Sequence, residues 1–173
     1  STVNSNKTSW TDTKAESGVT YRYTVRAVNG KSLSSYTATG NLMFLSEPNV
    51  KIKNDSNGIK VSWNLVEGAT GYTVYRSEYN AKTKKWSGWA IRGTAKAGQS
   101  SWTDKKVTSG VKYKYTVRAI NGNFKSTYTS SGKLVYLAQP VVTSAKATSG
   151  IAVKWTKSGG ATSYIVYRQE MTD

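Results

Sequence analysis

A chain of 173 residues with 25 Lys and Arg against nine Asp and Glu has a formal net charge of +16, and it contains neither cysteine nor histidine. Those counts exclude disulfides, thiolate zinc sites and thiol nucleophiles, and they remove the commonest general base and metal ligand. Hydrophobic content is only 37%, yet six Trp and 12 Tyr beside many Val and Ile favour strands.

In chain order, residues 1–45 carry a short "SWTD" strand (9–12), a long alternating stretch "YRYTVRAVNG" (21–30) and a closing strand that ends near Leu45. The next segment begins at "PNVKIKN" (48–54), where the proline suits an edge-strand start. "GIKVSW" (58–63) puts Ile59, Val61 and Trp63 on one face. "GYTVYR" (71–76) puts Tyr72 and Val74 on one face and Tyr75 on the other. "WSGWAIRG" (86–93) reads as an irregular strand with a bulge at Gly88, and "SSWTD" (100–104) as a short one. "GVKYKYTVRAING" (110–122) is a long alternating strand whose Asn121-Gly122 turns the chain into a last strand over about 127–137. Seven strands separated by regular turn signals predict an antiparallel sandwich. No stretch shows sustained helical periodicity, and no apolar run approaches the roughly 20 residues of a membrane-spanning helix.

Shifting the sequence by 92 positions superposes Trp10 on Trp102, Pro48 on Pro140, Trp63 on Trp155 and Tyr75-Arg76 on Tyr167-Arg168, with about 37 of 81 overlapping positions identical and no gap. Such a period is too long for a solenoid unit and has the size of one small β-sandwich. A Trp ending the second strand, "Y-x-V-Y-R" in the third and "V-x-x-G-x-x-Y-x-Y-x-V-R-A-x-N-G" around the sixth resemble the fibronectin type III family, especially repeats in secreted proteins of Gram-positive gut bacteria. The resemblance implies an extracellular protein, secreted or attached to a bacterial surface. It makes Tyr113 the tyrosine-corner residue, after a Val107 that replaces the family's usual Leu, with Ala15 and Tyr21 in the earlier copy. Trp10, Trp63, Trp102 and Trp155 are expected to be packing residues.

The repeat phase divides the chain into residues 46–137, one complete module, flanked by 1–45, the back half of a repeat, and 138–173, the front half of the next. Joined together, the flanks lack only the counterpart of "KTKKWSGWAIR" (82–92). A sandwich of seven-residue strands would hold the two flanks roughly 35 Å apart within one chain. They are therefore expected to complete each other between chains, which makes self-association the first partner class and a head-to-tail array its outcome. The competing reading is an arbitrary cut through a longer tandem array.

Few chemical groups remain. Asp12 and Asp104 occupy one repeat position and are expected to cap a turn, while Glu78 and Glu170 are expected to pair locally beside Arg76 and Arg168. No two carboxylates are placed across a cleft, so neither catalysis nor a cofactor nor a metal is expected. Two readings are open for Trp86 and Trp89, which flank Ser87-Gly88: outward indoles that stack on sugar rings, or a core Trp89 with Trp86 covering the sheet edge. Lys82, Lys84 and Lys85 form the only tight basic cluster, either a solvated loop or a contact for an anionic polymer. The net charge itself suits polyanions, unless the dispersed lysines merely guard strand edges. No aromatic-basic signature of a nucleic-acid module is present. The leading expectation is a spacer, stalk or adhesion module. The alternative is a module that binds glycans or anionic cell-wall polymers through Trp86, Trp89 and the lysine loop.

Overall fold

Alternation in the long central strands turns apolar side chains onto one inner face, as seen in the computed structural model, which describes residues 1–171. Asp173, counted above among the acids, lies outside the described residues. Residues 1–45 hold four two-residue strands, β1 (Thr20–Tyr21), β2 (Val28–Asn29), β3 (Ser32–Leu33) and β4 (Leu42–Met43), of which β1 pairs with β4 and β2 with β3. Next come β5 (Lys51–Asp55), β6 (Gly58–Ser62), β7 (Gly71–Asn80), β8 (Lys85–Trp86), β9 (Ala90–Lys96) and β10 (Ser101–Asp104). The series continues with β11 (Lys112–Asn121), β12 (Phe124–Lys125) and β13 (Leu134–Val135). A final hairpin joins β14 (Val142–Ala147) to β15 (Gly150–Trp155). Every pairing is antiparallel, and among the described residues there is no helix.

Two sheets face each other over the central segment. One has the order β10-β6-β5; in the other, β11 and β7 are the central pair, with β12 and β13 beyond β11 and β8 and β9 beyond β7. Ile59, Val61 and Trp63 from the first sheet meet Tyr72, Val74, Tyr113, Tyr115 and Val117 from the second. All are at most 5% exposed, and several are fully buried. The Trp63 and Tyr72 rings lie 5.4 Å apart. The Tyr113 hydroxyl accepts the N–H of Thr108 at 2.9 Å, as expected of a tyrosine corner. Tyr21 accepts from Glu16 at 2.8 Å in the earlier copy. Tyr72 and Tyr164 make a second such pair, accepting from Val66 and Ser158, which the sequence reading did not anticipate.

Several expected strands differ in the structure. The strand expected over 127–137 is reduced to β13, while β12 falls ahead of that range. Ser126 and Ser131 supply hydroxyls that accept the N–H of Ala119 and Tyr115, so side chains replace backbone in the middle of the ladder. An extra residue does interrupt the strand around Gly88, since Trp86 to Ala90 spans four steps against three from Tyr79 to Arg76. A second irregularity falls at Arg92, which sits between the partners of Val74 and Tyr75. The long strand expected over 21–30 is reduced to β1, β2 and an isolated bridge between Thr24 and Ala38. The third strand expected in 138–173, at 163–168, does not form. Both losses have one cause. In the centre β7 and β11 pair with each other over eight positions, and a strand in that place needs its partner to satisfy its backbone. Trp10 and Trp155, expected to pack, are 51% and 41% exposed because no second sheet covers them.

One contact between neighbouring segments of the chain occurs twice. Ser17 Oγ donates to Glu67 O at 2.8 Å and accepts from Ser46 N at 3.0 Å. Ninety-two residues on, Ser109 Oγ donates to Gly159 O at 2.7 Å and accepts from Ala138 N at 3.0 Å. Glycines close both joints: a Cβ on Gly68 would run into Gly18 Cα, and one on Gly160 into Gly110 Cα. Gly68 and Gly160 also have φ of +78° and +79°, a conformation that disfavours any side chain.

Candidate functional site

The register of β7 against β11 decides which side chains share the outer face of the larger sheet. Inward positions of β11 go to Tyr113, Tyr115, Val117 and Ala119, so Lys112, Lys114, Thr116 and Arg118 point outward. Tyr75 and Tyr79 of β7 are the corresponding outward positions. Trp86, on β8, pairs with Tyr79, and their rings lie 5.3 Å apart. Trp89 meets Tyr128 edge-on at 6.1 Å.

Both tryptophans are therefore half-buried on the outer face, and neither belongs to the core. Their faces are already occupied. Lys114 Nζ sits 4.8 Å from the Trp86 ring centre and 5.1 Å from that of Trp89. Lys112 lies 5.5 Å over Tyr79, and Arg118 lies 5.6 Å over Tyr128. The last pair recurs as Arg26 over Tyr36 at 5.4 Å. Alternating cations and rings of this kind stabilise by about 0.5–1 kcal/mol per contact at exposed sites. The two Lys114 contacts tie Trp86 of β8 and Trp89, just ahead of β9, to the central strand β11. Beneath Trp89 lies a shallow cleft of about 130 Å³ lined by Tyr75, Thr116, Arg118 and Tyr128. It is smaller than the roughly 300 Å³ at which enclosing small-molecule sites begin.

Lys82, Lys84 and Lys85 are exposed on the β7–β8 turn, where Asn80 Oδ1 accepts the N–H groups of Lys82 and Thr83. The structure does not seat any of the three over the indoles. Lys114 takes that place, and the sequence reading missed it. The alternation of β11 carried the signal, but its use required knowing the strand across from it.

A second cluster lies inside. Arg76 follows Tyr72 and Val74 on the inward face of β7 and is only 7% exposed. Its guanidinium donates to Asp104 Oδ2 at 2.9 Å and to Lys106 O at 2.6 Å, and lies 5.0 Å over the Tyr113 ring. Asp104 also accepts the Tyr115 hydroxyl at 3.0 Å and the N–H of Lys106 at 2.9 Å. It thus caps its turn, as expected, and in addition neutralises a buried arginine. Burial works against the guanidinium charge, but the hydrogen bond and charge of Asp104 prevail and hold Arg76 above its ordinary value. Burial, then the Asp104 charge and hydrogen bond, push the Tyr115 hydroxyl well above the usual tyrosine range. Glu78 joins from the rim at 3.4 Å, the expected local pair.

Facing antiparallel sheets around one aromatic core define an all-β sandwich. The matched family narrows that class: residues 47–133 fit the model described as the fibronectin type III domain, SaeA third domain. The chain belongs to the fibronectin type III family. It is 25% identical over 124 residues to an amylopullulanase of Thermoanaerobacterium thermosulfurigenes, covering 65% of this chain and 6% of that protein. It is 30% identical over 105 residues to an amylopullulanase of Thermoanaerobacter thermohydrosulfuricus, covering 60% of this chain and 7% of that one. The chain thus spans less than a tenth of the curated relatives it matches. Among solved structures, a Fn3-like protein from Clostridium thermocellum is 24% identical with a TM-score of 0.41, covering 56% of this chain and 95% of that one. A structure named FN3tt mut is 14% identical with a TM-score of 0.43, covering 53% of this chain and 94% of that one. No helix among the described residues is long and apolar enough to cross a membrane.

Proposed function

We propose that the chain is a non-catalytic spacer: a run of sandwich modules that holds other domains of a secreted bacterial protein at a set distance and angle. The observation that carries this reading is the joint made twice with the same serine and the same pair of glycines, 92 residues apart. A flexible linker would need no such closure, whereas a stalk depends on each module being fixed to the next. Similarity to a small part of large enzymes fits an accessory module that works beside a catalytic domain. Because the chain has no native cysteine, two spin labels can be placed cleanly, at Lys53→Cys and Lys146→Cys. A narrow distance distribution between them, broadened by Ser109→Ala, is the expected result. A broad distribution in the parent chain contradicts the spacer reading.

The outward aromatic face favours a second reading, a glycan- or wall-polymer-binding module. Its indoles are the right chemistry, but Lys114 covers them and the cleft beside them is small. Sugar stacking would have to displace that lysine, while a carboxylated or phosphorylated polymer would recruit it. Retention on pullulan and on an anionic wall polymer, compared between the parent and Trp86→Ala and Trp89→Ala, separates the readings. Folded variants with lost retention favour binding; no retention by the parent removes it.

A further inference from the structure

The outer face of the larger sheet carries a line of cations with no acid beside it. Lys112, Lys114 and Arg118 take outward positions of β11, and Lys125 of β12 joins them opposite Ile120. No outward position in the strands of this sheet holds a carboxylate. None of the four cations enters an ion pair among the described residues. Three of them rest on rings instead: Lys112 on Tyr79, Lys114 on Trp86 and Trp89, and Arg118 on Tyr128.

The smaller sheet provides a contrast within the same module. Its outward positions present Lys51, Lys53 and Lys60, together with Asp55 and no aromatic residue. The two faces carry similar numbers of cations. Only on the larger sheet do rings hold each cation in place.

Outward neighbours on one strand stand about 7 Å apart, so Lys114 and Arg118 are separated by about 14 Å. Between them, at Thr116, opens the cleft of about 130 Å³ walled by Tyr75, Trp89 and Tyr128. It has room for about four waters, enough for one unit of a chain and not for a separate ligand. A sugar ring can lie against those walls without displacing Lys114. Arg118 uses only its Nε within the fold, donating to Ser126 O at 2.7 Å, which leaves its outer amino groups for a carboxylate. A bare phosphate chain has nothing to bury against aromatic walls. Nucleic-acid bases need open ring faces, and Lys114 covers those of both indoles.

We propose that this face binds a carboxylated polysaccharide, with Lys112, Lys114 and Arg118 taking its carboxylates and the cleft seating one of its sugar rings. This rests on the reading of the aromatic face as a binding surface and deepens it: the cations recognise the polymer, and the rings hold the cations.

Calorimetric titration with polygalacturonate, pullulan, polyphosphate and single-stranded oligo-dT, at about 0.15 M salt, tests the proposal. Polygalacturonate is expected to bind tightest. Lys114→Met and Arg118→Gln should each weaken it at least about fivefold. Lys53→Met and Lys60→Met, on the smaller sheet, should change it less than about twofold. Thermal unfolding checks that each variant is folded, and Lys112→Met, at an exposed position, replaces either face variant that is not. A parent that binds none of the four overturns the binding reading and this inference together. Pullulan bound as tightly as polygalacturonate keeps a binding surface and overturns the anionic partner. Polyphosphate or DNA bound as tightly overturns the sugar. Equal losses from the smaller-sheet variants, or no loss from the face variants, overturn the assignment to this face.

Discussion

Replacing Asp104 with Asn removes one charge and keeps the shape and most hydrogen bonds of the side chain. The Lys106 N–H and the Tyr115 hydroxyl retain an acceptor, so the loss falls on Arg76, whose guanidinium is 7% exposed and has Lys106 O and the partly exposed Glu78 as its remaining acceptors. Stranding a charge at that depth costs about 3–5 kcal/mol. For a module of this size that corresponds to a fall in Tm of at least about 12 °C. Urea unfolding followed by tryptophan fluorescence reads the change, since Trp63 is buried in the folded module. The sequence repeat supplies its own control. Asp12→Asn, at the same repeat position but without an arginine, should shift stability by no more than about 0.5 kcal/mol in dilute solution. Equal costs at the two positions, or a loss at Asp104 below about 1 kcal/mol, would refute the assignment of Asp104 as the counter-charge that holds Arg76 inside.

Three further outcomes follow from the same packing. Trp63→Ala should cost about 3–5 kcal/mol, because the ring is buried against Tyr72, whereas Trp155→Ala should cost less than about 1 kcal/mol in dilute solution. Trp89→Ala should cost about 1–2 kcal/mol, the worth of one edge-on ring contact and one cation contact, rather than the value of a core tryptophan; chemical denaturation measures each. The raised Tyr115 hydroxyl gives a pH dependence with a definite sign. Its neutral form is the one the fold favours, so its contribution is complete below the ordinary tyrosine value near 10 and is lost as pH climbs above that value toward the folded one. Stability measured between pH 8 and pH 11 should fall at the alkaline end, and Tyr115→Phe should remove that part of the fall.

The sandwich was legible because period-two alternation in β6, β7 and β11 assigns their inner faces without any knowledge of partners. Tyr113 was legible through the resemblance to fibronectin type III repeats, which marks it as the tyrosine-corner residue. What escaped were features set by the strand opposite. Arg76 reads as one more surface charge until Tyr72 and Val74 are seen to share its face. That face then demands a counter-charge, which only the fold brings within reach from Asp104. Lys114 over the two indoles depends on the β7–β11 register and on the irregular path from Trp86 to Ala90. The shortening of the last strand depended on Ser126 and Ser131, whose hydroxyls do the work of backbone carbonyls, and no propensity records that. In the flanks the sequence pattern of a strand was present, at 21–30 and 163–168, but a strand is completed by its neighbour and not by its own pattern.

Amide hydrogen exchange on the full chain tests most directly the claim that the core lies in the central segment and that a strand forms only where a neighbour satisfies its backbone. Slow exchange over β6, β7 and β11 is expected, with residues 22–27 and 163–168 fast. Protection of both end segments equal to that of β7 and β11 would contradict it.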